Sequence, residues 1–337
     1  MTPLRVGVIG LGIGSRHARV AQDHPQATLA RVCDLDPAKE AEARRFFPEA
    51  AFTRREEDIL DDPDLDVVCI ASCDDAHFRQ ADRAIERGKH VFIEKPLCQR
   101  EEDMLALAGR LAGHPGRRLS TNLVLRACPR FVAVRRALEA GTMGEVYHLE
   151  ADYFWGRPHK LLDGWRADMD EYSIIQGAAV HMVDLVMHLL GRRPLSVSAL
   201  GSAVGTRGSR QRHDAFALLV LRFDGGLSAK IAAHGCCRHP HFHRLSVFAT
   251  GGSFLGEFPG AVWIDSDDPE RPPRPETGDY PGRSRRGAVL ASFLDAVADP
   301  SRLPLVDEAD SFAAMSVCFA AQRSVRSGRE CPIDYVA

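Results

Sequence analysis

Lysine is scarce in this chain. Only five of its 43 basic residues, Lys39, Lys89, Lys95, Lys160 and Lys230, carry an amine, and arginine supplies the rest. A guanidinium keeps its proton near neutral pH whereas a desolvated amine can give it up, so a lysine at a chemically suggestive position stands out. An excess of either charge is missing too. With 43 basic and 46 acidic side chains and a formal net charge of −3, bulk electrostatics argue against nucleic acid and anionic membrane as partners. No apolar run reaches membrane-spanning length. The first strand pattern starts at residue 4, which leaves no room for a signal peptide. Nine cysteines, an odd and scattered set, make no disulfide-like framework, and Cys33 and Cys69 lie in apolar runs where a thiol behaves as a small hydrophobe. These absences leave a cytoplasmic globular enzyme of 337 residues, long enough for two domains sharing one cleft.

Residues 4–34 carry the clearest local pattern. Leu4–Ile9 is short, apolar and β-branched, as a strand buried on both faces is. Gly10-Leu11-Gly12-Ile13-Gly14-Ser15 follows, then a helical stretch from Arg16 to about His24, then a strand at 28–34. Such a layout suits a dinucleotide. The first glycine makes the tight turn, the second lets the backbone approach a pyrophosphate, and the helix N-terminus offers N–H groups and a positive dipole end. Gly10, Gly12, Ile13, Gly14 and Ser15 are therefore candidate cofactor-binding residues, although the third glycine falls one place early and Ser15 takes its usual slot. Asp34 ends the second strand, placed to accept hydrogen bonds from an adenosine ribose. Its carboxylate repels a 2′-phosphate and neither Leu35 nor Asp36 supplies a cation, which predicts NAD(H) over NADP(H). The plain alternative is a glycine-rich turn that binds nothing.

Strand and helix patterns then alternate: a strand at 67–71, a helix at 76–87 closed by Gly88, a strand at 90–94, a helix at 101–112 and a short strand at 119–123. Repeated βα units predict an α/β domain over residues 1–122, a doubly wound parallel sheet of Rossmann type with its ligand crevice at the strand C-terminal ends. Asp34, Ser72, Lys95 and Asn122 all fall at such ends. Residues 123–337 read differently, as an α+β domain with a large, mostly antiparallel open sheet. Helices are expected at 129–140, 173–190, 287–298 and 308–327, and strands at 145–155, 195–200, 215–223, 227–234, 244–250 and 253–258. The stretch 216–223 is apolar on both alternating faces. Its second face meets either another subunit, giving a homo-oligomer (dimer or tetramer), or more of its own chain.

Glu94-Lys95-Pro96 follows the apolar run 91–93 directly. A residue before proline is pushed towards extended geometry, which holds Lys95 at a strand end with its amine towards the crevice. Oxidising a secondary alcohol removes a hydride to the nicotinamide and a proton from the hydroxyl. A partly desolvated lysine beside a cationic nicotinamide has a lowered pKa and can take that proton. The alternative is a surface lysine paired with Glu94.

The order Gly10-x-Gly12, Asp34, Ser72-Cys73-Asp74-Asp75-Ala76-His77, Gly88-Lys89-His90-Val91, Glu94-Lys95-Pro96, Gly141-x-x-Gly144 and His181-x-x-Asp184 resembles the glucose–fructose oxidoreductase / inositol dehydrogenase (Gfo/Idh/MocA) family. The likeness runs from residue 4 into the tail. It implies NAD(P)-dependent oxidation or reduction of a sugar or cyclitol carbon, with Lys95 and His181 as the catalytic pair and an open C-terminal sheet that mediates oligomers. Ser72, Asp74, His77, Glu94, Lys95 and Asn122 join the glycine turn as cofactor-binding candidates. Two departures stand out. Ser72-Cys73-Asp74 replaces the family's usual Thr-Pro-Asn, and Gly177 stands where an aspartate is expected four residues before His181. His181 and Asp184, three apart on a helix, can share a face, so Asp184 either orients the imidazole or caps another group. Asp170 or Glu171 could bring a carboxylate from another direction. Lys95 is then the principal proton acceptor, and His181 polarises or positions the substrate oxygen.

The segment Tyr153-Phe154-Trp155-Gly156-Arg157-Pro158-His159-Lys160, with Trp165-Arg166, offers aromatic faces for a sugar ring and cations for a phosphate, carboxylate or nucleotide-sugar pyrophosphate. Arg126, Trp155, Trp165, Arg166 and Asp184 are the substrate-binding candidates; interdomain packing is the competing reading. Cys236-Cys237-Arg238-His239-Pro240-His241-Phe242-His243 invites a metal, since alternate histidines on a strand share a face. Pro240 interrupts that pattern and zinc spacings are absent, so no metal is assigned. Two rival functions stay open. One is an NAD-using lyase or glycoside-cleaving enzyme that oxidises and re-reduces one substrate with no net NADH. The other is a catalytically silent dinucleotide or sugar sensor.

Overall fold

Leu4–Ile9 forms the first strand, β1, and its Val6 and Val8 are completely buried, as an apolar run covered on both faces requires. The computed structural model describes residues 2–336. They divide into two compact units, the chain up to Val124 with Arg286–Phe312, and Leu125–Arg285 with Ala313–Tyr335. A single division at 122/123 marks only the first crossing, because the chain returns to the first unit near its end.

In the first unit β1, β2 (Ala27–Cys33), β3 (Ala51–Thr53), β4 (Val67–Ile70), β5 (His90–Ile93) and β6 (Leu119–Thr121) pair in parallel in the order β3-β2-β1-β4-β5-β6. Helices α1 (Gly14–Asp23), α2 (Lys39–Phe46), α3 (Glu57–Leu60), α4 (His77–Glu86) and α5 (Glu101–Ala112) connect them. The order reverses between β1 and β4, the switch point where such sheets bind ligands beyond their strand C-termini. β3 and α3 escape the hydrophobic pattern because they are only three and four residues long, and α2 because it is polar, with only Ala43 buried.

The second unit contains α6 (Pro129–Glu139), β7 (Val146–Phe154), α7 (His159–Leu162), a π-helical turn Ile175–Ala179, α8 (Val180–Leu190), β8 (Ser196–Ser202), β9 (Phe216–Arg222), β10 (Ser228–His234), β11 (Phe242–Ala249), β12 (Gly252–Gly256), β13 (Val262–Ile264) and β14 (Arg274–Pro275). After α9 (Ala288–Ala298) and α10 (Glu308–Ser327), β15 (Cys331–Pro332) closes the chain. The returning α9 belongs to the first unit and packs on α1 and β5, with Phe293 5.8 Å from Phe92. Burying a side chain such as Phe92 contributes about 1.5–3 kcal/mol. Nine strands form the second sheet in the order β14-β13-β12-β11-β7-β10-β9-β8-β15, antiparallel throughout except where β10 runs parallel to β7. The apolar α8 packs on β7 and β10, and Gly191 at φ +61° stops it. On β9, Ala217, Leu219 and Leu221 are buried, whereas Val220 on the other face is 42% exposed. Beside it Lys230 and Arg244 converge on the buried carboxylate of Asp152.

Candidate active site

The glycine turn is built as its spacing requires, with one exchange of roles. Gly10 sits at φ +88°, and a Cβ there would lie 2.4 Å from the Ala71 carbonyl oxygen. Only glycine lets the ends of β1 and β4 close on each other there. At Gly12 an added Cβ meets nothing within 4 Å, so the backbone is open to a pyrophosphate. Gly14 starts α1, where a Cβ would stand 3.0 Å from the Ala71 Cβ and 3.2 Å from Val8. Gly14 thus provides the close helix-to-sheet packing. Ser15, in the slot the spacing reserves for glycine, instead donates from Oγ to the Leu11 carbonyl at 2.6 Å. No side-chain hydrogen bond caps α1, no acid occupies its first turn, and Ile13 before it is exposed. Its positive dipole end is open to an anion.

Asp34 accepts the Leu11 N–H on Oδ2 at 2.7 Å and the Asp36 N–H on Oδ1 at 2.9 Å, pinning the end of β2 to the turn. A cradle with no side chain at 10, 12 and 14 and a carboxylate at the second strand end fit NAD. Leu35 and Asp36 supply no cation, but a residue distant from them in sequence stands beside Leu35. Arg54, just beyond β3, lays its guanidinium on the Leu35 carbonyl at 3.3–3.4 Å. Sequence neighbours miss it because the β2–β3 pairing delivers it.

Lys95 is half-buried and held from both sides. Before it, Glu94 receives His17 Nε2 at 2.9 Å and Asn122 Nδ2 at 2.7 Å on the same Oε1. Burial opposes the Glu94 charge, yet the His17 contact, the Asn122 amide and the Lys95 amine outweigh it and hold the carboxyl down to about 2. After it, the Pro96 carbonyl accepts Nδ1–H of His77 at 2.7 Å, and the buried His77 Nε2 has no partner. Glu94 and the fully buried His77, both cofactor candidates, thus hold the segments on either side of Lys95. Asp74 is buried as well, and Ser72 donates to Gln80 at 2.6 Å. Asn122, another cofactor candidate, braces Glu94 through its amide.

In the second unit, Arg126 and Asp184 were both expected at substrate but hold each other. Arg126 Nη2 donates to Asp184 Oδ1 at 2.6 Å and Nε to the two carboxylate oxygens at 3.0 and 3.1 Å. Asp184 is fully buried. Removing one partner of such a pair costs about 3–5 kcal/mol, so its role here is to tie the residues before α6 to α8. His181 on α8 is buried and stacks on Tyr153 of β7, with ring centres 5.8 Å apart at 6°. His241 and His243 meet the same phenol edge-on at 5.3 and 4.8 Å. The Tyr280 hydroxyl accepts the His243 backbone N–H at 2.6 Å and lies 2.9 Å from its Nδ1. His239 stacks on Phe154 at 4.4 Å instead, because it lies ahead of β11, beyond Pro240, and strand alternation does not reach it. Among the described residues no three metal-ligating side chains gather. Trp155 is buried, with its ring 6.0 Å from that of Tyr153 in an edge-on arrangement. Trp165 stays 39% exposed, with the Arg166 guanidinium 4.0 Å from its ring. Tyr153, named with the aromatic segment, and His241 and His243, named with the metal motif, form one ring cluster instead, His243 lying opposite Tyr153 in the β7–β11 register.

The sheet order, the bare glycine turn and the carboxylate at β2 define a dinucleotide-binding oxidoreductase. Residues 4–122 match the family described as "Oxidoreductase family, NAD-binding Rossmann fold", and residues 131–255 match the "GFO/IDH/MocA C-terminal domain". The chain belongs to the Gfo/Idh/MocA family, and its relatives include proteins named as inositol 2-dehydrogenases. It is 29% identical over 263 residues to scyllo-inositol 2-dehydrogenase (NAD(+)) of Bacillus subtilis (strain 168), covering 75% of this chain and 74% of that one. It is 27% identical to inositol 2-dehydrogenase of Rhizobium meliloti (strain 1021), covering 98% and 99%. Levoglucosan dehydrogenase in complex with NADH and L-sorbose shares the fold with a TM-score of 0.85, at 21% identity and full coverage of both chains.

Proposed function

We propose that this protein transfers hydride between NAD and a secondary alcohol or ketone carbon of a sugar, sugar derivative or cyclitol. Lys95 is the proton acceptor in oxidation and the donor in reduction, and His181 assists at the substrate oxygen. NAD supplies the hydride acceptor when bound, held by Gly10–Ser15 and Asp34. The observation that carries this reading is the double anchorage of Lys95. Glu94 on one side and Pro96 on the other are tied to His17, Asn122 and His77, so the amine has a defined place just past β5. As the alcohol C–H leaves with its electron pair, the O–H proton passes to the neutral Lys95 amine and a carbonyl remains. Relatives named as inositol dehydrogenases support a polyol substrate.

Inositols, hexoses, uronates and nucleotide sugars, each offered with NAD and with NADP, test the reading by growth of the reduced nicotinamide absorbance. Lys95→Met is expected to lose at least about 100-fold in turnover, the low end for a positioned acid–base group. Retention of more than about a tenth removes Lys95 from the chemistry. Substrate conversion without net NADH turns the reading to the lyase. The half-covered outer face around Leu218 and Val220 supports a homo-oligomer, and a monomer by light scattering at micromolar concentration would refute that assembly.

A further inference from the structure

We infer that Arg157 binds an acidic substituent on the substrate, which narrows the sugar or cyclitol proposed above to a ring bearing a carboxylate or a phosphate; this rests on the dehydrogenase reading. Arg157 follows β7 after Gly156, whose φ is +63°. A Cβ at Gly156 would lie 2.6 Å from the His241 backbone nitrogen and 2.8 Å from the Pro240 carbonyl carbon. Only glycine lets the chain leaving β7 close on the segment ahead of β11 there. That closure seats both neighbours of Gly156 on His241. The Trp155 carbonyl accepts His241 Nδ1–H at 2.9 Å, and Arg157 Nη2 lies 3.3 and 3.4 Å from the two nitrogens of the same ring.

The guanidinium held there is short of acceptors. Arg157 Nε is buried with no hydrogen-bond partner, and no described carboxylate pairs with Arg157. Elsewhere in this unit Arg126, Arg210 and Arg244 each hold a carboxylate, on Asp184, Asp168 and Asp152. Trp155, only 4% exposed, likewise keeps its indole Nε1 unpaired. Guanidinium and indole are donors only, so whatever satisfies them brings acceptor oxygens. A half-buried cation with no counter-charge calls for an anion, and its planar fork matches a carboxylate or a phosphate. The place adjoins His181. His241 meets edge-on the same Tyr153 ring on which His181 stacks, so a ring held by its acid at Arg157 lies alongside the group assigned to the substrate oxygen.

Binding and turnover by the full-length protein, read separately, test this. Glucose, galactose and mannose, each beside its uronate and its 6-phosphate, are titrated calorimetrically into the protein with NADH and then offered with NAD. At least one acid should bind about 10–100-fold tighter than its neutral sugar, and the uronate and 6-phosphate arms tell which anion the site takes. Arg157→Gln should cut that acid-to-neutral ratio by about 10–100-fold. Arg157→Lys, which keeps the charge without the fork, should keep part of it. A role confined to folding would weaken acid and neutral sugar alike and leave the ratio standing. No acid preferred over its neutral sugar, or a preference that Arg157→Gln leaves intact, overturns the inference. An acid preference that Arg157→Gln abolishes, with no sugar turned over by the unaltered protein, upholds this site and refutes the dehydrogenase reading.

Discussion

Replacing Glu94 with glutamine preserves the shape of the brace before Lys95 and removes its charge. Folding lowers the Glu94 carboxyl from an ordinary 4.5 to about 2. At about 1.4 kcal/mol per pK unit, that difference of 4.5 − 2 makes the ionised brace worth about 3 kcal/mol to the folded state. The sign follows from proton counting. Between the two values the unfolded chain binds a proton that the folded chain refuses, so the stabilisation is complete above about pH 5 and fades as pH falls through 4.5 towards 2. Urea midpoints of the unaltered protein and Glu94→Gln, taken at intervals from pH 7 to pH 2.5, read the effect as a difference, in which other carboxylates cancel. The gap should approach about 3 kcal/mol at pH 7 and narrow steadily below pH 4.5. A gap that stays constant across that range would refute the assignment of charge to this site.

Gly12→Ala, facing open space, should fold normally and weaken NADH binding by at least about tenfold. Gly10→Ala, at φ +88° against the Ala71 carbonyl, should instead lower thermal stability, by about 1–3 kcal/mol or more. Calorimetry with fluorescence titration separates the two, and Gly12→Ala binding NADH unchanged would place the pyrophosphate elsewhere. Asp34→Asn should weaken NADH by roughly tenfold while improving NADPH, because Arg54 stays beside Leu35. No gain in NADPH affinity would show that Arg54 does not reach a 2′-phosphate.

Legibility differed between the two units. In the first, β1, α5 and the strand ends carrying Asp34, Lys95 and Asn122 were plain from local pattern, because strands buried on both faces read as unbroken apolar runs. The glycine turn was visible, but which glycine packs the helix was not; Gly14 was revealed by its distance to Ala71. In the second unit the 173–190 helix was anticipated, though its π-turn start was not. Arg126 and Asp184 looked like binding groups because each is charged. Their pairing spans 58 residues and no local signal announces it.

What the sequence alone determined is the part written in neighbours: βα alternation, the bare turn before α1, the acid at the end of β2, and a rare lysine ahead of a proline. Those depend on backbone geometry over a few residues, where side-chain type is decisive. Tertiary structure decided which partners each polar group finds. Glu94, His77, Arg126 and Asp184 turned inward because a buried charge or imidazole must find partners, and those partners come from distant strands and helices.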